Sequence, residues 1–143
     1  MSKQRFQQTL TLTGAYALGD VLHGAIEFTS PDPNGTVYLL SISDNEKKNA
    51  EIDVFLIRKT AALSGTYTDN AAPTVNAADT KNAFVQTFLS SDYRDFNSHS
   101  VATKTGKAIV NVEPSDRLFV VLVLKQAITW ASGDSLTLNM ELL

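Results

Sequence analysis

The sequence predicts an all-β chain folded as an antiparallel β-sandwich. Three observations lead there. Short runs rich in Val, Ile, Leu, Thr and aromatic residues alternate apolar with polar side chains. Gly, Pro, Asn and Asp clusters separate those runs at short intervals, as turns require. Helix signals are confined to one short stretch, residues 77–82. At 143 residues the chain is long enough for one hydrophobic core, and neither a linker nor an internal repeat divides it.

Residues 1–4 are polar and read as an N-terminal arm. Arg5–Thr13 is the first strand, with Phe6, Leu10 and Leu12 on one face, and Tyr16–Asp20 a turn. Val21–Thr29 resumes in strand register through Leu22, Ile26 and Phe28; Gly24 interrupts it and marks a bulge or a close approach. Ser30-Pro31-Asp32-Pro33-Asn34-Gly35 is a loop, because two prolines and an Asn-Gly pair suit turns. Thr36–Ser43 is predicted as a strand with Val37, Leu39 and Ser41 on one face and Tyr38, Leu40 and Ile42 on the other. Glu51–Lys59 follows a polar turn and alternates Ile52, Val54 and Leu56 against Asp53, Phe55 and Ile57.

Thr60–Pro73 is the longest irregular stretch, and loops of that length commonly serve as contact surfaces. Asn76 is placed to cap a helix over Ala77–Asn82, since its side chain accepts from free backbone N–H groups of a first turn. Ala83–Leu89 reads as a strand, with helix as a rival reading, and Ser90–Ser98 as a polar segment carrying Tyr93 and Phe96. His99–Lys104 and Lys107–Val112 read as two short strands, followed by the turn Glu113–Asp116. After the turn Ser132-Gly133-Asp134, the strand Ser135–Leu143 sets Leu136, Leu138, Met140 and Leu142 on one face. The tally is eight or nine short strands with at most one short helix, a count that fits a sandwich of jelly-roll type.

One run breaks the alternation. Leu118-Phe119-Val120-Val121-Leu122-Val123-Leu124 is apolar throughout and far too short to span a membrane. As a strand it needs cover on both faces. One face meets the core; the other needs the long loop and the short helix, or a sister subunit.

Composition narrows the function classes. Twelve basic and 15 acidic residues are well mixed and give a net charge of −3, so the basic face of a nucleic-acid binder is not expected. Without cysteine there is no thiol chemistry, disulfide or thiolate metal site. The polar N-terminus reads as neither secretion signal nor membrane span, and the chain as one made soluble inside the cell. His23 and His99 lack metal-ligand spacing, and Ser98-His99-Ser100 is adjacency rather than a triad. Asp92 and Asp95, flanking Tyr93-Arg94, suit a surface turn with local ion pairing better than a glycosidase pair. Asp32-Pro33-Asn34-Gly35 has too few carboxylates for a strong calcium site, and no glycine loop is built for phosphate. The expectation is a protein with no catalytic residues, no cofactor and no metal. Sugar binding is the best rival, through the aromatics Tyr67, Tyr93, Phe96 and Trp130.

Motifs along most of the chain carry a resemblance. They are Tyr16-Ala17-Leu18-Gly19-Asp20-Val21 followed by Gly24 and Phe28, Ser41-Ile42-Ser43-Asp44, and Asp53-Val54-Phe55-Leu56. Then come Thr68-Asp69-Asn70-Ala71-Ala72, Ala77-Ala78-Asp79, Ser91-Asp92-Tyr93, and Asn97-Ser98 with Ser100-Val101-Ala102-Thr103. Thr129-Trp130-Ala131-Ser132-Gly133-Asp134-Ser135-Leu136 completes the series. Together they resemble the small virion structural proteins of tailed bacteriophages, of the head decoration or cement kind. The resemblance implies a jelly-roll-like sandwich, a major capsid protein as partner, and homo-oligomers, a trimer favoured over a dimer. It implies assembly in the host cytoplasm and a place on the capsid exterior, with neither nucleic acid nor membrane as partner. Contact residues are expected among aromatic and Arg side chains of loops and ends: Arg5, Phe6, Tyr67, Asp69, Tyr93, Arg94 and Phe96. The alternative is a tail-associated or glycan-binding sandwich that meets the host surface.

Overall fold

The computed structural model describes residues 3–28, 31, 35–81, 83–111 and 115–143, with the backbone alone for 106–111. The predicted loop at 30–35, including most of the calcium candidate Asp32-Pro33-Asn34-Gly35, falls mostly outside the described residues, as do Val112 at the end of a predicted strand and residues 113 and 114 of the predicted turn.

Nine strands form among the described residues: β1 (Gln4–Tyr16), β2 (Val21–Phe28), β3 (Thr36–Asp44), β4 (Ile52–Lys59), β5 (Ala83–Phe88), β6 (Arg94–Phe96), β7 (His99–Asn111), β8 (Arg117–Leu124) and β9 (Ile128–Leu142). A single α-helix, α1 (Ala77–Thr80), and a 3-10 turn at Ser90–Asp92 are the helical elements described. Asn76 caps α1 as expected, its Oδ1 accepting from the Ala78 N–H at 2.8 Å. The strands make two antiparallel sheets. Sheet A has the order β1-β9-β3-β7-β6 and sheet B the order β2-β8-β4-β5. The chain is an all-β sandwich, as its alternation predicts.

Inward-facing side chains of both sheets form one core. β1 contributes Leu10 and Leu12, β3 Leu40 and Ile42, β9 Leu136, Leu138 and Met140; β4 contributes Ile52, Val54 and Leu56, and β8 Leu118, Val120, Leu122 and Leu124. Trp130 is buried among them, edge-on to Tyr16 with ring centroids 5.3 Å apart.

Bulges change three readings. In β3, Val37 lies opposite Leu142 while Leu39 lies opposite Glu141, so Tyr38 is an extra residue. One extra residue reverses the pleat. Val37 therefore shares the core face with Leu40 and Ile42, not the outer face with Leu39 and Ser41. The two short strands predicted at 99–104 and 107–112 are one strand, β7, because the irregularity opposite the same point of β3 absorbs the break. The turn at Ser132–Asp134 is an interruption within β9: Gly133 has φ +89° and Asp134 Oδ2 accepts from the Ala131 N–H at 2.8 Å. The bulge predicted at Gly24 is present, with register lost between Leu22 and Ile26 and φ of +72° and +98° at His23 and Gly24. The 1–4 arm is not an arm where described, since Gln4 already pairs with Leu142 in β1.

β8 lies between β2 and β4. Its second face is covered by the chain itself. Phe119 and Val121 join Val21 and Ile57 in a second apolar cluster, with Phe55, Leu63, Tyr67, Ala83 and Val123 packed against it. Leu63 and Tyr67 belong to the long loop, which crosses the outer face of sheet B as a strap. The sister-subunit alternative for this face is therefore unnecessary.

Two substitutions separate a doubly covered strand from a singly covered one. Leu122→Ala removes a core side chain and Phe119→Ala one beneath the strap. Each is expected to lower unfolding free energy by about 3 kcal/mol in urea denaturation. A strap that merely rested on the sheet would leave Phe119→Ala nearly neutral.

Candidate functional site

The strap is the most elaborate polar construction in the molecule. A loop lying over a sheet must find partners for its backbone groups. Thr66 and Thr74 exchange two backbone hydrogen bonds of 2.9 Å, which makes a small hairpin within it. Asn70 N–H donates to Val21 O at 2.8 Å and Val21 N–H donates to Ala71 O at 2.9 Å, so the strap also pairs with the edge of β2. It passes so close to Gly24 that a Cβ there would lie 3.3 Å from the Tyr67 carbonyl oxygen. Close approach and positive φ thus both require glycine.

Two aspartates fasten it. Asp69 Oδ1 accepts from the Tyr16 hydroxyl at 2.9 Å and from the His23 N–H at 2.7 Å. Asp79, in α1, is fully buried. Its Oδ1 accepts from Lys59 Nζ at 2.7 Å and Ser64 N–H at 2.9 Å, and its Oδ2 from Gly65 N–H at 2.8 Å and the Tyr67 hydroxyl at 2.7 Å. Burial opposes ionisation of this carboxyl. The Lys59 ammonium, the Ser64 and Gly65 N–H groups and Tyr67 together outweigh burial and hold it well below the usual carboxylate range. Burial first, and then the Asp79 carboxylate, push the Tyr67 phenol up to about 12; burial and Asp69 do the same for Tyr16. A carboxylate whose acceptor sites are taken up by four groups of its own chain acts as a fastener rather than as an acid or base.

The seven residues expected to make contacts fall in different places. Tyr67 and Asp69 are anchors, as their type and loop position suggest, but the groups they hold are Asp79, Tyr16 and His23 of the same chain. Tyr93 is buried, and its hydroxyl donates to Ala50 O at 2.7 Å. Burial, with Asp44, Asp92 and Glu51 nearby, drives its phenol far above the ordinary value. Arg5 and Phe6 lie in β1. Arg5 Nε is 3.6 Å from Glu141 Oε2, and the Phe6 ring meets Phe28 of the other sheet at 4.6 Å. Both border a shallow hollow of about 550 Å³ on sheet A, together with Gln7, Ser41, Thr103 and Asn139.

Arg94 and Phe96 are exposed on β6, and the Phe96 ring stacks on His99 at 5.7 Å. They belong to a rim. Among the described residues, four of the seven exposed large apolar side chains, Phe84, Val85, Leu89 and Phe96, occur between residues 83 and 96. That segment supplies β5 and β6, which are edges of sheet B and sheet A. Ion pairs fix the rest of it: Lys104 Nζ lies 3.0 Å from Asp92, and Lys47 Nζ 3.8 Å from Asp95. The aspartates are ion-paired as expected of a surface turn, but to lysines of other strands and turns, 12 and 48 positions away, rather than locally around Arg94. Asp92 is held below its ordinary value by the Leu89 N–H and then by Lys104.

Of the four aromatics that suggest sugar binding, Tyr93 and Trp130 are buried and Tyr67 is half-buried. They do not form an exposed platform. His23 and His99 lie on different sheets. Among the described residues, no group of three or more His, Asp or Glu side chains is placed to hold a metal ion. No described helix is long and apolar enough to cross a membrane.

No model of a known protein family matches the chain, and no curated protein matches it significantly.

The sequence gives no sign of the Asp79 anchor. Its partners are Lys59, Ser64, Gly65 and Tyr67, residues 12 to 20 positions earlier, which no local spacing links to it. Asp79→Asn keeps the shape and removes the charge, leaving the Lys59 ammonium unpaired at 11% exposure. The expected loss is about 3 kcal/mol at pH 7, from breaking one side of a buried pair. The depressed folded-state pKa fixes the pH dependence. The contribution is complete above the ordinary carboxyl value of about 4 and is lost as pH falls below it toward the lowered value. Urea denaturation at pH 7 through 3 is therefore expected to show wild type and Asp79→Asn converging only below about pH 4.

Proposed function

We propose that the protein is a non-enzymatic structural component of a bacteriophage virion. In this reading it is a decoration or cement protein that associates with copies of itself and stabilises the head by bridging major capsid proteins. It is assembled in the host cytoplasm and lies on the capsid exterior. The observation that carries the reading is the apolar rim at 83–96, where Phe84, Val85, Leu89 and Phe96 are exposed, while Leu18, Val75 and Leu143 are the other exposed large apolar side chains among the described residues. Concentrated exposed apolar side chains of this kind serve protein contacts.

Two further features support it. The strand pairing nests along the sequence: β1 lies beside β9, β2 beside β8, β3 beside β7 and β4 beside β5. That order suits a sandwich of jelly-roll type, the architecture the resemblance implies. The absence of cysteine suits assembly in a reducing compartment. Contacts repeated over a lattice need not be strong one by one.

The test uses purified protein and capsid shells that lack it. Saturable co-sedimentation with shells, and a raised melting temperature of the shells, are expected. Phe96→Asp and Arg94→Ala are expected to weaken binding by about tenfold and about threefold, since a desolvated apolar anchor contributes more than an exposed charge. Equal binding by both variants would remove the rim from the interface. Saturable binding on a glycan array without affinity for shells would replace the reading with host-surface recognition, and turnover of an ester or glycoside would end it.

A further inference from the structure

The sandwich has four sheet edges, β1 and β6 in sheet A, and β2 and β5 in sheet B. A bare edge strand offers N–H and C=O groups to any passing chain. Proteins guard such edges with charges, bulges, short length or cover. Three edges here are guarded. β6 is three residues long and carries Arg94 and Asp95. β2 is bulged at His23–Gly24, carries Glu27 and is bridged by the strap at Val21. β1 carries Arg5, and its pairing is broken between Leu12 and Gly14 by the interruption in β9.

β5 has none of these devices. Ala83-Phe84-Val85-Gln86-Thr87-Phe88 contains no charge, no proline and no glycine, and β4 is its one neighbour in the sheet. Apolar side chains are exposed on both of its faces. Phe84 lies opposite Leu56 on the core side and is 39% exposed; Val85 lies opposite Phe55 on the strap side and is 47% exposed. On the same face, the strap and sheet leave an apolar hollow of about 100 Å³ bordered by Phe55, Tyr67, Val75, Ala83 and Val121.

We infer that β5 is a self-pairing edge. A second copy of the chain adds its own β5 antiparallel across a two-fold axis, and the two four-stranded sheets become one of eight strands. Charge selects this occupant. A strand without charges meets no like charge when it faces itself, whereas a charged edge would oppose its own residues. Symmetry then limits the register. A two-fold axis normal to the sheet keeps each side chain on its own face, so opposed residues have the same parity. The axis therefore passes through a residue, and pairing along most of β5 places it at Val85 or Gln86. At Val85 it sets that side chain against its mate and Phe84 against Gln86.

This inference deepens the assembly reading and rests on it for its biological use. It replaces the three-fold arrangement favoured by the resemblance with a two-fold one. Sedimentation of the purified chain is expected to give about 31 kDa, twice the 15.5 kDa of one copy. Val85→Lys is expected to weaken the dimer by about tenfold or more, by opposing two ammonium groups at the axis. Because Val85 is exposed, the melting temperature at low concentration should not change. The chain has no cysteine, so in Val85→Cys or Gln86→Cys a single thiol can join only its own mate. Oxidative cross-linking is expected in one of the two variants. A monomer at all concentrations, a three-copy mass, or a dimer that survives Val85→Lys and yields no cross-link would overturn the inference. So would a monomer that takes up an extended peptide of another protein along β5. A cross-linked dimer without affinity for shells would remove the virion reading and leave β5 pairing intact.

Discussion

The constraint on which the structure depends is the apolar strand β8. Its even-numbered residues Leu118, Val120, Leu122 and Leu124 lie in the core, and Phe119 and Val121 face the other way with little or no exposure. A sandwich of two sheets has one interior, so a strand that is apolar on both faces forces a third layer. The strap is that layer. Its backbone is long, irregular and rich in polar residues, and ordering it costs on the order of 1 kcal/mol per residue in conformational entropy. The apolar contacts of Leu63 and Tyr67 are few against that cost. The fasteners at Asp69 and Asp79 supply what the apolar contacts lack.

The two fasteners work differently. Asp69 is exposed and engages Tyr16 and the His23 N–H, so it ties the strap to the β1–β2 end of the sandwich. Asp79 is buried and ties α1, the start of the strap and the end of β4 into one knot. A buried charge has no solvent to fall back on, which makes the knot close to all-or-none. The β2 bulge belongs to the same device. The positive φ at His23 turns its N–H to Asp69, and Gly24 gives Tyr67 room to pass.

What the sequence makes legible follows from range. The period-two patterns of β2, β4 and β9, the Asn76 cap and the Gly24 bulge depend on neighbours within a few residues, and each is readable. The inward faces of β3 are not. Tyr38 is an ordinary strand residue, and only pairing with β9 makes it the extra one. β6 escapes notice because three residues carry no period. Among the expected contact residues, Tyr67 and Tyr93 have the signature of anchors, an aromatic ring with a polar tip, and that signature is the same whether the group they hold belongs to another chain or to their own. Arg94 and Phe96 differ only in lying on a strand with nothing beyond it.

That asymmetry between the two sides of the molecule bears on binding. On one side the strap consumes its own polar and apolar groups and covers the edge of β2. On the other, the 83–96 segment is fixed by Asp92 with Lys104, Asp95 with Lys47 and the buried Tyr93, yet its apolar side chains face outward. A surface already held in shape loses little conformational entropy when it meets a partner, so modest contact area yields more net affinity than a flexible loop of the same composition. The strap is the larger and more conspicuous loop. The short rim is nevertheless the better-presented surface, because its anchors hold it in place without covering Phe84, Val85, Leu89 and Phe96.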